Sequence, residues 1–362
     1  MSKAQVLFIG ELNRDLSEFI QFQSKYECIF YTLTTREDLI NKLKTDFKDI
    51  VAIYAAWLGF IPIGGFRTVI EYAPSSLKII SLCSVGYDHE DADVLAKHGI
   101  IMTNVPSDGA AEPVAELVLV NAITSFRQFH LYSELSKIQH TMKIRYQYSS
   151  GEFNVISGKP ASLSDSTQNG YFFGHSINNR GCMSPRGHNV AIVGFGKIGQ
   201  CIGKKLSDIG MNITYIKRTK LSLEEENELN YPVTYHAKIE DATDADLIVI
   251  ACPGTPETFH LINEGVIKSM EKPFRIINIG RGTVIDEQAL VDGLKSGKVL
   301  FAGLDVFEEE PLIHKELINR EDVVLTPHIG SSTIENFDFT ATRSLQNIDE
   351  VISVGDTCNR VN

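Results

Sequence analysis

The sequence has few cysteines and no Cys-x-x-Cys pair. Its six cysteines lie far apart in a chain of 362 residues: Cys28, Cys83, Cys182, Cys201, Cys252 and Cys358. Zinc sites and redox dithiols use closely spaced cysteine pairs, and disulfide-rich secreted domains are short and dense in cysteine. We therefore expect no metal site, reduced thiols and a cytoplasmic protein.

Long apolar runs are also missing. A membrane helix needs roughly 20 consecutive apolar residues, and no run approaches that length. The amino-terminal stretch MSKAQVLFIGELNRD has only a short apolar segment, Val6 to Ile9, before Gly-Glu. That segment is too short for the core of a signal peptide. We expect neither a membrane partner nor a secretion signal.

An excess of positive charge is absent as well. The chain has 34 basic and 46 acidic residues, which gives a net charge of −12. This balance argues against nucleic acid as the main partner, because the phosphate backbone is bound by lysine and arginine. A small anionic substrate stays compatible with it, since one arginine can dominate its own pocket. No repeat of solenoid period and no low-complexity tract is visible.

Short apolar runs alternate with amphipathic segments through the first part of the chain. QVLFIG, CIFYTL, DIVAIYAAW and LKIISLCS have strand character, and DLSEFIQFQSKY and TREDLINKLKTDF have helical periodicity. Thr35 is the predicted N-cap of the second helical segment. Strands that alternate with helices indicate a parallel α/β sheet.

The middle of the chain changes character twice. DGAAEPVAELVLVNAITSFRQFHLYSELSKI is predicted to form one long helix with Glu112 and Pro113 in its first turn. Its apolar face suits either core packing or a subunit contact. From His140 to His188 the periodicity disappears, and residue types alone assign this stretch no task. Irregular stretches of this length are usually functional or mobile.

A glycine motif follows the irregular stretch, where strand and helix patterns resume. Gly194, Gly196 and Gly199 form G-x-G-x-x-G between a predicted strand, NVAIVG, and a predicted helix. In a dinucleotide site the first glycine permits the turn, the second lets a pyrophosphate approach and the third lets helix and strand pack. A glycine-rich turn without a ligand is the alternative. The predicted turn comprises Gly194, Phe195, Gly196, Lys197, Ile198 and Gly199.

The next strand ends in a basic sequence. NAD sites commonly have an acidic residue about 20 positions after the glycines, but this chain has Lys217, Arg218, Thr219 and Lys220 there. Cations and a hydroxyl could hold a ribose 2′-phosphate, which favours NADP(H). A solvated basic strand end beside an NAD(H) site stays an alternative.

Three later strand ends carry polar residues. Arg281 lies between glycines in NIGRGTVID, Asp305 and Glu310 lie in GLDVFEEEP, and His328 lies in TPHIGSS. Ligands of open parallel sheets bind beyond the carboxyl ends of the strands. Singly, each residue is more typical of a turn, a solvated acidic run or a loop. Together beside a dinucleotide turn they indicate hydride transfer with acid–base assistance.

These motifs resemble the D-isomer-specific 2-hydroxyacid dehydrogenase family. VGFGKIG, INIGRGTVIDEQAL, GLDVFEEEP and TPHIGSS occur in the order of that family, and SVGYDHED and NVPSDGAAEPVAE match its earlier segments. The resemblance runs from about Val6 to the final NRVN. SPRGHNVAIVG, LTTREDL and LYSE are most similar to fungal members that act on D-mandelate, with fungal glyoxylate reductases close behind.

The resemblance implies roles for individual residues. Arg281 would hold the substrate carboxylate and carbonyl, His328 would exchange a proton with the carbonyl oxygen, and Glu310 would favour the charged imidazole. Asp305 would orient the nicotinamide carboxamide. The other implied cofactor contacts are Lys217, Arg218, Thr219, Cys252, Pro253, Ile279, Gly280, Gly330 and Ser331. The implied substrate contacts are Ser84, Val85, Gly86, Trp57 and Leu58.

Some positions depart from the family pattern. The carboxylate usual at Lys217 is absent, which puts a preference for NAD(H) in doubt. Trp57 and Leu58 stand where members often have smaller or polar residues. Bulky apolar groups there favour an aromatic or branched 2-oxo acid, unless Trp57 instead packs between the domains. The stretch at about 140–188 is longer than in many members.

The predicted fold is α/β, with two Rossmann-like, doubly wound parallel-sheet domains and the active-site cleft between them. Residues 1–106 and 330–362 would form a flavodoxin-like substrate-binding domain, and 107–329 an NAD(P)-binding domain with the irregular insertion. The predicted activity is reduction of a 2-oxo acid to a D-2-hydroxy acid by a homodimer. The alternatives are a glyoxylate or hydroxypyruvate reductase and, in another class, a dinucleotide-sensing interaction protein.

Overall fold

The computed structural model describes residues 3–88, 90–134, 140–149, 151–160 and 172–362. The strands are Gln5–Ile9 (β1), Glu27–Tyr31 (β2), Ile50–Ala55 (β3), Ile79–Leu82 (β4), Ile101–Thr103 (β5), Ser176–Ile177 (β6), Arg180–Gly181 (β7), Asn189–Val193 (β8), Asn212–Ile216 (β9), Val233–His236 (β10), Leu247–Ile250 (β11), Phe274–Asn278 (β12), Val299–Leu304 (β13) and Val323–Leu325 (β14). The helices are Ser17–Lys25 (α1), Arg36–Lys44 (α2), Ala92–Lys97 (α3), Asp108–Arg127 (α4), Phe129–Glu134 (α5), Thr141–Gln147 (α6), Lys197–Asp208 (α7), Leu223–Glu228 (α8), Glu264–Ser269 (α9), Glu287–Ser296 (α10) and Ile334–Val354 (α11).

The chain forms two compact units. Unit 1 comprises residues 1–110 and 332–362, and unit 2 comprises residues 111–331. The predicted domains, with their substrate-binding and NAD(P)-binding roles, stay a prediction.

Unit 1 contains a parallel sheet of order β2-β1-β3-β4-β5. This is the flavodoxin-like doubly wound order. Its strands bury apolar side chains on both faces, as parallel strands covered by helices do. The Thr35 side chain accepts a hydrogen bond from Asp38 N–H at the start of α2, which confirms the predicted cap.

Unit 2 contains a parallel sheet of order β10-β9-β8-β11-β12-β13-β14. Counted from β8, the order is 3-2-1-4-5-6-7, which is that of dinucleotide-binding folds with one further strand. All residues of β11 and β12 are buried, and apolar clusters cover both faces of the sheet. The predicted parallel α/β class is confirmed.

The single long helix predicted after residue 107 is wrong in two respects. Gln128 adopts a left-handed φ of 53° and separates α4 from α5. Pro113 lies inside α4 and not in its first turn, because α4 begins at Asp108. The residues around Gln128 have good helical periodicity, so the local sequence does not reveal the break. The predicted end of that helix extends into 135–139, outside the described residues.

The segment from His140 to His188 is less irregular than its composition predicts. It contains α6 and a hairpin of β6 and β7. The hairpin turn has positive φ at Asn178 and Asn179, which asparagine tolerates. Residues 150 and 161–171 of this predicted insertion lie outside the described residues. The strands β5 and β10 were not predicted from the sequence.

In the described ranges no helix is long and apolar enough to cross a membrane. Among the same residues, no group of three or more histidine, cysteine, aspartate or glutamate side chains could hold a metal ion.

Candidate active site

The glycine turn joins β8 to α7 and is shaped by two close approaches of the backbone. Gly194 has a φ of 91°, and a Cβ there would lie 2.6 Å from Cys252 N. A Cβ at Gly199 would collide with the carbonyl oxygen of Gly194. The packing of the protein therefore requires glycine at both positions, whether or not a ligand is bound. Burial raises the pKa of the neighbouring Cys252 to about 11, so this thiol is neutral at physiological pH.

Gly196 is different, because nothing in the described part of the protein requires a glycine there. Its φ is −81°, and a Cβ would meet no atom of a described residue within 4 Å. It precedes α7, and no described side chain caps the first turn of that helix. A bare backbone that faces open space at a helix N-terminus fits close approach of a phosphate. These residues therefore fit the dinucleotide that the motif implies.

The ends of neighbouring strands of unit 2 meet beside this turn. A Cβ at Gly280, after β12, would lie 2.6 Å from Cys252 O, after β11. The three strand ends of β8, β11 and β12 are therefore in backbone contact. Pro253 and Ile279 lie next to these contacts in the chain.

The basic end of β9 is largely solvent-exposed. Arg218, Thr219 and Lys220 are exposed, and Lys217 is half-buried. Lys220 Nζ lies 3.8 Å from Glu226 Oε1. No acidic residue interrupts the run from Lys217 to Lys220. Lys217 and Arg218 are the other cations of this strand end, and their charges act on Glu225 and Glu257, respectively.

Arg281 begins the short turn after β12. Its guanidinium Nη1 donates to Gly280 O at 2.8 Å, and Asn278 Nδ2 donates to Arg281 O at 2.9 Å. The following residue, Gly282, packs so closely against Phe307 that a Cβ there would overlap the carbonyl group. This contact fixes the Arg281 turn against the segment that leads to Glu310.

Asp305 holds the turn that carries His328. Its Oδ1 accepts hydrogen bonds from Thr326 Oγ1 at 2.6 Å and Ile329 N–H at 2.9 Å, and its Oδ2 accepts from Gly330 N–H at 2.8 Å. The residue is only 3% exposed. Its carboxylate therefore fixes the end of β14, and its predicted contact with nicotinamide stays a prediction.

Thr326 is a site-supporting residue that the sequence interpretation missed. Its hydroxyl contacts Asp305, and it lies two residues before His328 in the motif Thr-Pro-His. A threonine directly after an apolar strand and before Pro-His is the only signal for it in the sequence.

His328 and Glu310 form a hydrogen-bonded pair. The distance from His328 Nδ1 to Glu310 Oε2 is 3.1 Å, and Phe307 N–H donates to Glu310 Oε1 at 3.0 Å. His328 has a left-handed φ of 53°, an unusual conformation that a non-glycine residue keeps when its surroundings fix it. Pro327 and the Asp305 contacts supply that constraint.

The charge environment keeps Glu310 ionised. Burial alone would raise the pKa of Glu310, but hydrogen bonds from His328 and Phe307 and the charges of His328 and Arg281 hold that pKa below its usual value. The charges of Arg281 and His328 therefore both act on the Glu310 carboxylate within unit 2. An anionic Glu310 favours the protonated form of a neighbouring imidazole.

The predicted substrate contacts belong to unit 1, at the carboxyl ends of β3 and β4. Ser84 Oγ donates to Gly86 O at 2.8 Å. The N–H groups of Val85 and Gly86 have no acceptor among the described residues. Trp57 is 60% exposed and Leu58 is 50% exposed. Unit 1 thus presents backbone donors and large apolar side chains at this end of its sheet.

Comparisons with known proteins agree with the fold and with these motifs. Residues 159–330 match the family model for the NAD binding domain of D-isomer specific 2-hydroxyacid dehydrogenases. A glyoxylate reductase of Pyrococcus furiosus is 35% identical over 300 residues, which cover 83% of this chain and 77% of that protein. The chain belongs to the D-isomer-specific 2-hydroxyacid dehydrogenase family.

Solved structures of relatives have the same fold over the whole length of the chain. The holo D-mandelate dehydrogenase of Rhodotorula graminis has a TM-score of 0.82 and 28% identity, and the alignment covers 100% of this chain and 98% of that one. A glyoxylate reductase of Paecilomyes thermophila has a TM-score of 0.81 and 26% identity, and the alignment covers 100% of this chain and 99% of that one. As a member of this family the protein is an oxidoreductase that acts on the CH–OH group of a 2-hydroxy acid with a nicotinamide dinucleotide.

Proposed function

We propose that this dehydrogenase reduces an aromatic or branched 2-oxo acid to the D-2-hydroxy acid with NADPH. The hydrogen-bonded pair of His328 and Glu310, with the charge of Arg281 acting on the same carboxylate, carries the proposal. One acid–base group and one guanidinium are what reduction of an anionic carbonyl compound needs from the protein.

Each of the three side chains has a separate task in the proposed reaction. The bound nicotinamide supplies the hydride. Arg281 holds the carboxylate and carbonyl oxygens of the substrate through its planar fork. His328 gives a proton from Nε2 to the carbonyl oxygen, since Nδ1 faces Glu310. Glu310 stays anionic and stabilises the imidazolium before that transfer. In oxidation of the hydroxy acid His328 takes the proton back.

The proposal also includes the predicted substrate contacts of unit 1. The N–H groups of Val85 and Gly86 suit a carboxylate oxygen, because no other acceptor occupies them in the described part of the chain. Ser84 shapes this loop through its hydrogen bond to Gly86 O. Trp57 and Leu58 suit an apolar substituent. The name of the Rhodotorula graminis relative, a D-mandelate dehydrogenase, supports an aromatic substrate.

Trp57→Ala is expected to lower kcat/KM for phenylglyoxylate and 4-methyl-2-oxopentanoate about tenfold or more, because lost burial of a large side chain is worth about 1.5–3 kcal/mol. Glyoxylate, which has no side chain, should lose little. Steady-state kinetics with a panel of these acids and hydroxypyruvate measures the difference.

Ile61→Ala is the matched control, since Ile61 is an apolar residue of the same segment and is 49% exposed. Equal losses for every acid would contradict the role of Trp57. A wild-type preference for glyoxylate or hydroxypyruvate would favour the glyoxylate reductase alternative, which the names of several relatives support.

The cofactor preference follows from Lys217, Arg218 and Thr219. Wild-type kcat/KM is expected to be higher with NADPH than with NADH, because these side chains suit a 2′-phosphate. Lys217→Asp should lower kcat/KM for NADPH about 10- to 100-fold, since a charge-assisted hydrogen bond is worth about 1.5–3 kcal/mol. The value of kcat/KM for NADH should stay the same or rise.

Lys220→Asp is the control, because it changes the net charge equally at a side chain that lies beside Glu226. It should leave the ratio of the two cofactors nearly unchanged. A wild-type preference for NADH would overturn the interpretation of this strand end.

The proposal also includes a homodimer joined through α4 and a cytoplasmic location. Val120 on α4 is 60% exposed, which suits a subunit contact. Binding of a dinucleotide without turnover of any 2-oxo acid would instead favour the alternative that the protein is a dinucleotide-sensing interaction protein.

A further inference from the structure

A second histidine–glutamate pair lies beside the proposed active site. His260 Nε2 is 2.6 Å from Glu308 Oε1, and both side chains are partly buried, with exposures of 31% and 25%. Glu308 precedes Glu310 by two residues in the run Glu-Glu-Glu. The proposed reaction does not use either member of this pair.

Glu308 also joins the start of α10. Its Oε2 accepts a hydrogen bond from Glu287 N–H at 3.1 Å, and Glu308 N–H donates to Glu287 Oε1 at 3.0 Å. Glu287 is 5% exposed, and burial raises its pKa. The two residues therefore hold each other reciprocally, and Glu308 is attached at its backbone and at both carboxylate oxygens.

The backbone around His260 pairs with the turn that begins at Arg281. His260 N–H donates to Thr283 O at 2.9 Å, and Ile262 N–H donates to Val284 O at 3.0 Å. A Cβ at Gly254, at the other end of this loop, would lie 3.1 Å from Arg281 Cγ. The loop of residues 254–262 thus lies against both the stem of Arg281 and the residues that follow it.

The conformation of His260 shows that this loop is tightly specified. His260 has a left-handed φ of 49°. The Phe259 ring stacks on its imidazole, with centroids 4.0 Å apart. Such a backbone conformation is uncommon for non-glycine residues and is favoured where surrounding contacts hold it. The hydrogen bond to Glu308 and the backbone pairing with Thr283 are contacts of that kind.

We propose that His260 and Glu308 are positioning residues that keep the Arg281 turn and the Glu310 segment in fixed relation. The proposal rests on the proposed function, because it concerns the alignment of Arg281 with the pair of Glu310 and His328. It assigns His260 and Glu308 no contact with substrate or cofactor.

The short path between the two pairs is the physical reason. Phe307 N–H holds Glu310 Oε1, and Gly282 packs against the Phe307 carbonyl group. Glu308 follows Phe307 directly and precedes Glu310 by two residues. The contacts of Glu308 with His260 and Glu287 therefore restrict the position of Glu310 through only one or two rotatable residues. Misplacement of a catalytic group by about 1 Å can lower a rate about 100-fold.

The experiment compares His260→Ala, Glu308→Ala, the double variant and Glu308→Gln with the wild type. Steady-state assays of the reduction of a 2-oxo acid across pH separate effects on kcat from effects on KM. Cofactor fluorescence gives the dissociation constant of NADPH, and thermal unfolding gives the melting temperature. Glu264→Ala is the matched control, since it removes an exposed ion pair with Lys268 on the nearby helix α9.

Both single alanine variants are expected to lower kcat about 10- to 100-fold while NADPH affinity stays within about twofold. The double variant should lose no more than either single variant, because the two residues act as one unit. The alkaline limb of the pH profile for reduction should move to lower pH, since a loosened Glu310 stabilises the imidazolium less. Glu308→Gln keeps an acceptor oxygen and should lose less than Glu308→Ala.

Two results would overturn the inference. One is kcat within about twofold of the wild type in both single variants, which would show that alignment does not depend on the pair. The other is a lower melting temperature with an unmoved alkaline limb, which would show a purely structural role. If the wild type reduces no 2-oxo acid, the proposed function has failed instead.

Discussion

Replacing Arg281 with glutamine is expected to lower kcat/KM for reduction of the substrate about 1,000-fold, or by about 4 kcal/mol of transition-state stabilisation. Glutamine keeps hydrogen-bond donors but loses the positive charge and the fork that matches a carboxylate. NADPH affinity should change little, because the dinucleotide turn at Gly194 to Gly199 is built independently of this side chain.

NADPH absorbance measures the turnover, and cofactor fluorescence measures binding in the same samples. Arg186→Gln is the control, since Arg186 is an exposed arginine of the same unit with no predicted role. Unchanged turnover in Arg281→Gln would refute the role assigned to Arg281. Loss of NADPH binding together with turnover would show that Arg281 instead supports the cofactor site.

Replacing His328 with glutamine is expected to lower kcat for both reduction and oxidation by about 100- to 10,000-fold. Glu310 cannot replace His328 as the proton donor, because Glu310 remains ionised at neutral pH. Wild-type reduction should decline at alkaline pH, as the imidazole loses its proton, and that limb should disappear in the variant. His98→Gln, at an exposed histidine of unit 1, is the control. A variant that keeps the alkaline limb would place the general acid elsewhere.

The sign of the pH dependence of stability follows from Glu310. The pKa of Glu310 is lower in the folded protein than its usual value. Its interactions therefore contribute stability that is fully present above the pKa of the unfolded chain, about 4.3, and is lost as pH falls through the folded value. The difference in melting temperature between wild type and Glu310→Gln should accordingly shrink on acidification through this range.

The fold could be predicted where the sequence pattern is long and regular. The continuous apolar runs at β8, β11 and β12 predict buried parallel strands, and Thr35 predicts the start of α2. The break at Gln128 could not be predicted, because the helical periodicity continues through it and the left-handed conformation has no local cause. β5 and β10 were missed, and β10 differs from the equally short β11 in having partly buried and exposed residues instead of a continuous buried apolar run.

The resemblance predicts Arg281, Glu310 and His328 as site residues, and the glycine motif predicts the dinucleotide turn, but neither predicts the supporting contacts. Asp305 is an example, since its carboxylate accepts hydrogen bonds from Thr326, Ile329 and Gly330 around the His328 turn. His260 has no signal in the sequence, because its partner Glu308 lies in an acidic run that is typical of a solvated loop.

By itself the sequence determined the parallel α/β class, the family and the residue types available for chemistry, because hydrophobic periodicity and short motifs are local properties of the chain. Tertiary structure alone decided that Glu308 meets His260, and which backbone atoms hold each turn. Those contacts join residues up to tens of positions apart, and their geometry depends on packing of strand ends that no local pattern specifies.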